Sequence, residues 1–330
     1  MSGLIGKLKS FLVKTRSHRR LAASGGVELT LFNRIFIEPC FNYCKLRCPY
    51  CPVGQGLQLR DTPRGMMTLD LFRKIWAKSL TRFTGQIALY NWGEPFLNPD
   101  LPGIVRHVRE NSRATLVLNS TFSVKMDDRL TEILKYLDRD TIIISCDGFS
   151  QATCEKYRVN VDFDLVMHNV ELISRQKKPQ TEFLWQYLKF PWNQDEIAAA
   201  EDYCKRKRIG FYTGTGGIAP NYPMLPSPRT ANPEQCRCDF FRDSLSINFD
   251  GDVYPCCAYY GPPKYRLGNA AEQTIEEIFS GGRGKEMLDY LTFKSGGNDG
   301  IFCKHCVERD AAELESWKGE EPGTVHGAAL

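Results

Sequence analysis

The sequence predicts an α/β protein: a partial (β/α)6 barrel of the TIM type, followed by a small C-terminal domain with a β-hairpin and a helix. Three observations predict this fold. Short apolar runs alternate six times with segments of helical periodicity before residue 215, which favours a parallel sheet with helices packed against it. Prolines and glycines interrupt the alternation at 216–235, as in a linker. Cysteines cluster beyond that linker, around a hairpin pattern.

Each barrel unit is predicted from an apolar run and the amphipathic segment that follows it. The expected strands cover 35–39, 86–90, 114–118, 141–145, 182–188 and about 209–213. The expected helices cover 67–80, 101–111, 127–137, 162–175 and 194–207. Polar residues cluster where the strands end, and in a parallel barrel that rim is where sites are built. Six units fall short of a complete barrel, so we expect a partial one.

Charge and composition limit the classes of function. The 330 residues carry a net charge of +4, yet the first 27 hold six basic and no acidic residues, so the rest is slightly acidic. We therefore expect no nucleic-acid partner. We expect 1–30 to be a basic amphipathic arm, whose helix either packs on the catalytic body or contacts an anionic membrane through 1–20. Thirteen cysteines without a secretion signal favour a reducing, cytoplasmic location.

Three cysteines share a short loop after the first predicted strand. Cys44, Cys48 and Cys51 are separated by three and then two residues. Three thiolates on one loop can hold three irons of a cubane iron–sulfur cluster and leave the fourth iron without a protein ligand. An open iron can bind a substrate, so the spacing predicts chemistry as well as electron transfer.

A second set of cysteines lies in the last third of the chain. Residues 244–255 read as a hairpin around an Asp250-Gly251 turn, which brings the cysteines at its two ends together. A tight CxxC loop at 303–306 offers two more thiolates. Such a set can hold zinc or a cubane cluster, and a first cluster elsewhere in the chain favours iron–sulfur. The cysteines in this part of the chain are Cys236, Cys238, Cys256, Cys257, Cys303 and Cys306.

Taken together, these motifs resemble those of the radical S-adenosylmethionine (radical SAM) enzymes with a C-terminal SPASM or twitch extension. The loop matches the family's CxxxCxxC motif, and Tyr50 is the aromatic residue that the family prefers before the last cysteine. Asn91-Trp-Gly-Glu-Pro95 resembles the family's GGEP strand end, with Trp92 in place of the first glycine. Gly251 and Cys256 match the extension's signature of a glycine, four residues and a cysteine.

The resemblance covers about residues 33–310 and departs from full SPASM domains after Cys306. Full domains continue with further cysteines and hold two auxiliary clusters, whereas no cysteine follows here. The chain therefore resembles the shortened twitch form with one auxiliary cluster, in a layout similar to that of the family's cyclitol dehydrogenases. The implied units are a barrel at 31–215, a linker at 216–235, a SPASM/twitch domain at 236–310 and a tail at 311–330.

The resemblance also implies the cofactors and their contacts. SAM would bind the open iron of a [4Fe–4S] cluster and be cleaved to a 5′-deoxyadenosyl radical that abstracts a substrate hydrogen atom. A second [4Fe–4S] cluster would be held by Cys238, Cys256, Cys303 and Cys306, with Cys236 as an alternative to Cys238. An external one-electron reductant such as flavodoxin or ferredoxin would supply electrons. The implied SAM contacts are Tyr50, Trp92, Gly93, Glu94, Pro95, Asn119, Ser145 and Gln186.

Several outcomes of this chemistry stay open. The complete auxiliary set favours oxidation of an alcohol on a polar, sugar- or cyclitol-like small molecule, with the second cluster as electron acceptor. Epimerisation is an alternative, in which Cys146 or Cys257 returns a hydrogen atom to the opposite face. A peptide-modifying maturase is a third interpretation, and a metal-cluster binding module without turnover is the non-enzymatic one. The sequence holds no readable code for the substrate.

Overall fold

The structure is a computed structural model. It describes residues 29, 32–49, 51, 53–56, 64–215, 244–254, 257 and 266–285. The predictions for the N-terminal arm, the linker and the C-terminal tail lie outside these residues, as do those for Tyr50 and the second cysteine set: Cys236, Cys238, Cys256, Cys303 and Cys306.

All six predicted barrel strands are present, and they are parallel. They are β1 (Arg34–Ile37), β4 (Gln86–Ala88), β5 (Thr115–Ser120), β6 (Thr141–Ser145), β7 (Glu182–Lys189) and β8 (Gly210–Thr215). The other strands in the described ranges are β2 (Cys40–Phe41), β3 (Gly65–Met66), β9 (Ser244–Ile247), β10 (Asp252–Tyr254) and β11 (Gly268–Asn269). Nine of these eleven described strands form one sheet, in the order β11-β10-β9-β1-β4-β5-β6-β7-β8. The remaining two, β2 and β3, pair with each other.

The structure describes seven α-helices, and all but the last lie between parallel strands of the barrel, as the alternation predicted. They are α1 (Leu69–Ile75), α2 (Leu101–Asn111), α3 (Asp127–Tyr136), α4 (Gln151–Cys154), α5 (Phe163–Gln176), α6 (Ile197–Lys207) and α7 (Ile275–Ser280). A π-helical stretch at Trp76–Leu80 continues α1, and 3-10 turns lie at Pro95–Leu97 and Gln194–Glu196. Thr68 and Asp162 begin α1 and α5, because their side chains accept hydrogen bonds from the backbone N–H groups three residues on. No described helix has the length and apolar character needed to cross a bilayer.

Strand alternation separates the apolar core from the barrel interior. Phe183, Trp185 and Tyr187 of β7 are buried in the core between sheet and helices. Successive strand residues point to opposite faces, so Gln186 and its neighbours Asn119 and Ser145 point the other way, into the barrel. The polar positions predicted at the strand ends therefore share the interior face.

The C-terminal hairpin continues the barrel sheet. The structure confirms the predicted hairpin and its turn, where Gly251 adopts the left-handed φ of +87°. Strand β9 then pairs in parallel with β1, from Arg34 opposite Ser244 to Ile37 opposite Ile247. The strand that leads into the cysteine loop thus has the hairpin on one side and β4 on the other.

A buried carboxylate joins β5, β6 and α2, and its removal is a stability prediction. Asp140 accepts two hydrogen bonds from the Arg109 guanidinium, at 2.7 and 2.8 Å, and one from the backbone N–H of Leu116 at 2.7 Å. Because D140A leaves a mostly buried guanidinium without its carboxylate and the Leu116 N–H without its acceptor, we expect it to lower the free energy of unfolding by about 3 kcal/mol.

The matched control is D70A, which removes an exposed carboxylate from its pair with Arg73. Exposed pairs contribute little, so we expect urea denaturation curves for this variant to overlay those of the wild type. Equal midpoint shifts for D140A and D70A would contradict the structural role of Asp140.

Candidate functional site

The cysteine loop, which follows β1 and β2 in the chain, is held by hydrogen bonds of its own backbone. The N–H of Cys51 donates to the carbonyl of Cys48 at 3.1 Å, and the N–H of Gln55 donates to that of Cys51 at 2.9 Å. Cys44, Cys48 and Cys51 are all free thiols; Cys48 is buried and the other two are half-buried. The loop therefore presents three cysteines that are buried or half-buried, although other residues of the loop are exposed.

The electrostatics of these thiols suit cationic iron. Burial, with a smaller contribution from Glu94, raises the pKa of Cys44 to about 12. Burial also raises the pKa of Cys48 to about 11, although the Arg158 guanidinium opposes the shift. Thiolates here need a compensating positive charge, which iron supplies.

The three thiols of the loop lie close enough to affect one another. Cys48 and Cys51 both contribute to the raised pKa of Cys44. A cubane cluster binds each thiolate to a separate iron, so three neighbouring thiols on one loop fit such a cluster.

The turn after β4 lies against the cysteine loop, and Gly93 makes this approach possible. A Cβ atom at position 93 would lie 1.6 Å from the carbonyl oxygen of Cys40. The next residue, Glu94, donates its backbone N–H to the carbonyl of Tyr43 at 2.8 Å. The glycine and glutamate of the predicted motif thus hold the turn to the segment that carries Cys44.

The Glu94 side chain is fully buried and joins the turn to the end of β5. Its carboxylate accepts hydrogen bonds from the backbone N–H and hydroxyl of Thr121, at 3.0 and 2.8 Å, and from the N–H of Phe96 at 3.3 Å. Burial raises the pKa of Glu94 and these hydrogen bonds oppose the shift. The carboxylate therefore caps the 3-10 turn at Pro95–Leu97 and fixes the neighbouring rim.

Three of the predicted SAM contacts meet in one polar cluster on the barrel interior. The Ser145 hydroxyl lies 2.6 Å from Oδ1 of Asn119 and 3.2 Å from Oε1 of Gln186. These residues come from β5, β6 and β7, which the chain separates by more than twenty residues each. The interior of the barrel thus presents a preformed set of hydrogen-bonding groups near the C-terminal ends of the strands.

The two predicted hydrogen donors occupy different surroundings. The Cys146 sulfur is 1% exposed and lies 3.0 Å from the sulfur of Cys154 at the end of α4. Burial, first among several causes, raises the pKa of Cys146 well above its ordinary value. Cys257 is half-buried, and its carbonyl accepts hydrogen bonds from the side chains of Asn91 at 3.0 Å and Trp92 at 2.7 Å.

Sequence reasoning missed a buried ion pair beneath the cysteine loop. The Arg158 guanidinium lies 2.7 Å from the carboxylate of Asp147, and its positive charge opposes the rise in the pKa of Cys48. Asp147 follows β6 and is fully buried, and burial raises its pKa although Arg158 opposes the shift. The strand-end position of Asp147 was a sequence signal, whereas Arg158 belongs to no motif.

Two known families match this chain. A family described as "Radical SAM superfamily" matches residues 39–209, and a family described as "Iron-sulfur cluster-binding domain", SPASM, matches residues 236–307. One curated relative is the cysteine-type anaerobic sulfatase-maturating enzyme of Clostridium novyi (strain NT), which is 22% identical over 352 residues. That alignment covers 89% of this chain and 90% of the relative.

Two solved structures share the fold. Streptococcus suis SuiB bound to S-adenosylmethionine superimposes with a TM-score of 0.54 and 15% identity, over 73% of this chain and 64% of SuiB. The chain thus spans slightly less than two thirds of SuiB. Native anSMEcpe with bound AdoMet gives a TM-score of 0.54 and 18% identity, over 79% of this chain and 84% of that one. The partial barrel and the two predicted cofactor classes, SAM and iron–sulfur clusters, are confirmed.

Proposed function

Because the chain belongs to the radical SAM superfamily, we propose that it oxidises an alcohol of a polar, sugar- or cyclitol-like small molecule to a ketone. The observation that supports this most is the contact between Cys257 and the 91–92 turn. Cys257 follows Cys256, a predicted auxiliary ligand, so an electron acceptor would lie beside the SAM-binding turn. Oxidation needs such an acceptor, whereas epimerisation does not.

Two cysteine sets would hold the two clusters. Cys44, Cys48 and Cys51 would hold the first, and the turn at 91–95 would hold the SAM amine through its backbone. With SAM bound, this centre supplies the one-electron chemistry that removes a hydrogen atom from an unactivated carbon. The second cluster would accept one electron. Its ligands would be Cys238, Cys256, Cys303 and Cys306, with Cys236 as the alternative first ligand.

The residues around the cysteine loop would place SAM and exclude water. Arg158 is buried in its ion pair with Asp147, close enough to Cys48 to oppose the rise in its pKa, so its guanidinium would lie near a carboxylate that binds next to the loop. Ser145, Asn119 and Gln186 offer hydroxyl and amide groups on the interior face and would contact the ribose or methionine moiety. Glu94 and Asp147 are buried, so water has little access to this side of the site. Each of these polar contacts would therefore be stronger than in water.

The oxidation balances with a one-electron reductant. A one-electron reductant, such as a flavodoxin or ferredoxin, would supply the electron that cleavage of SAM consumes. The substrate carbon would lose a hydrogen atom, which would be recovered in 5′-deoxyadenosine beside free methionine. The hydroxyl on that carbon would lose its proton to solvent, and the second substrate electron would pass to the cluster held by the auxiliary cysteines, which leaves the ketone.

A peptide-modifying maturase is the second candidate. It is favoured by the relative described as a sulfatase-maturating enzyme, which aligns with 89% of this chain. In that case the oxidised group would be a side chain of a protein substrate. The auxiliary set would serve the same purpose, since oxidation of a side chain also leaves one electron to remove.

Product stoichiometry separates these outcomes. We expect reduced, anaerobic enzyme, incubated with a panel of deuterated cyclitols and sugars, to form one ketone for each 5′-deoxyadenosine, with deuterium recovered in the deoxyadenosine. Mass spectrometry of both products measures this ratio. A redox-neutral product that exchanges hydrogen with solvent would instead indicate the epimerase, and deuterium transfer only from labelled peptides would indicate the maturase.

A further inference from the structure

We propose that Asn91 and Trp92 form a latch that holds the segment at Cys257 onto the SAM-binding turn, and thereby sets the spacing between the two cluster sites. The inference rests on the proposed function in one respect: it takes Cys256 as a ligand of the auxiliary cluster. Trp92 and Asn91 are positioning residues in this proposal, because they act through the backbone of Cys257.

The latch consists of two donors on one acceptor. The amide nitrogen of Asn91 lies 3.0 Å from the carbonyl oxygen of Cys257, and the indole nitrogen of Trp92 lies 2.7 Å from the same oxygen. A carbonyl oxygen has two lone pairs, so it can accept both hydrogen bonds at once. Trp92 is 5% exposed, so little water competes for its N–H.

The other side of the turn is bound to the segment that precedes the cysteine loop. The backbone N–H of Trp92 donates to the carboxylate of Glu38, which is fully buried. The same carboxylate accepts a hydrogen bond from the backbone N–H of Cys40 at 3.2 Å. Short, buried contacts therefore run from the Cys40 segment through Glu38 and Trp92 to Cys257.

The identity of residue 92 makes the latch a feature of this chain. The strand-end motif it resembles has glycine at this position, and a glycine has no side chain with which to reach Cys257. An indole N–H is a donor only, and when it is buried it usually finds an acceptor. The residue that departs from the motif, Trp92, is thus one of the two latch residues that donate a side-chain hydrogen bond to Cys257.

These hydrogen bonds would fix the distance between the two cluster sites. Cys256 and Cys257 share a peptide bond, so a constraint on the Cys257 carbonyl constrains the predicted ligand beside it. Electron transfer between two centres slows steeply as they move apart. A segment that loosened at Cys257 would weaken the coupling between the two sites even if both clusters were still present.

The test compares holoenzymes of W92F and W192F, prepared anaerobically. W92F keeps an aromatic ring and loses the N–H, whereas W192F is the matched control because the indole nitrogen of Trp192 has no hydrogen-bond partner in the described part of the chain. We expect W92F to speed amide hydrogen exchange in the peptide that covers 252–257 by about twofold to tenfold, the factor that one hydrogen bond represents. We expect W192F to match the wild type there.

Electron paramagnetic resonance supplies a readout that a purely structural role would not move. We expect the magnetic interaction between the two reduced clusters to weaken in W92F at unchanged iron content. If W92F folds poorly, N91A removes the second donor and should speed exchange in the same peptide. Exchange and magnetic interaction equal to the wild type in both W92F and N91A would overturn the latch. Failure of the wild type to cleave SAM, with the exchange difference intact, would overturn the proposed function and leave the latch in place.

Discussion

G93A is expected to lower SAM cleavage by about 100-fold or more, the loss that follows when a reacting group is displaced by about 1 Å. The added Cβ would lie 1.6 Å from the carbonyl oxygen of Cys40, far inside any real contact. The atom that the new Cβ would meet belongs to the backbone of Cys40, so no change of side-chain rotamer can relieve the clash. The turn and the Cys40 segment must separate, and Cys44 follows only four residues later.

The matched control for this substitution is G281A. Among the described residues, no heavy atom lies within 4 Å of a Cβ at that position, and its φ of −142° suits any residue. Anaerobic assays of SAM cleavage and iron content on both variants measure the effect. Activity of G93A within a few-fold of G281A would show that the turn does not position the cluster loop.

C48A is expected to remove the cluster of the cysteine loop and to abolish SAM cleavage. A cubane cluster held by only two thiolates on this loop loses a ligand that the family pattern requires, so the iron content should fall by about half, the share of one of two cubane clusters. Cys48 is also the buried member of the set, and no other described cysteine lies on the loop at the required spacing.

C204A is the matched control, because Cys204 is a buried free thiol on α6. It acts there as a small apolar side chain, so its loss should leave iron content and SAM cleavage near the wild-type values. Iron and sulfide assays with electronic absorption spectra distinguish the two variants. Full iron content in C48A would assign the cluster to other ligands.

Local patterns in the sequence were sufficient for the barrel. Residues 182–188 form a largely apolar run that predicts a strand. The structure confirms this strand, and Phe183 and Trp185 are on the face that packs in the core. The Asp250-Gly251 turn predicted the hairpin, because a left-handed residue there favours glycine. The cysteine loop was also readable, since its three ligands lie within eight consecutive residues.

Contacts between distant segments were not readable. Nothing in the hairpin sequence predicts that β9 pairs with β1, because both are four-residue strands that would fit several neighbours. Arg158 has no motif, and only the folded chain brings it to Asp147 and Cys48. The Trp92 hydrogen bond to Cys257 spans 165 residues. In the sequence, Trp92 is visible only as a departure from the family motif.

The most direct measurement is SAM cleavage by the reconstituted wild-type protein, reduced and kept anaerobic, with 5′-deoxyadenosine followed by liquid chromatography and mass spectrometry. We expect 5′-deoxyadenosine to form in the wild type and in C204A, and to be absent from C48A. A wild-type protein that carries its full iron and sulfide yet forms no 5′-deoxyadenosine would contradict the assignment as an enzyme and would leave a cluster-binding module.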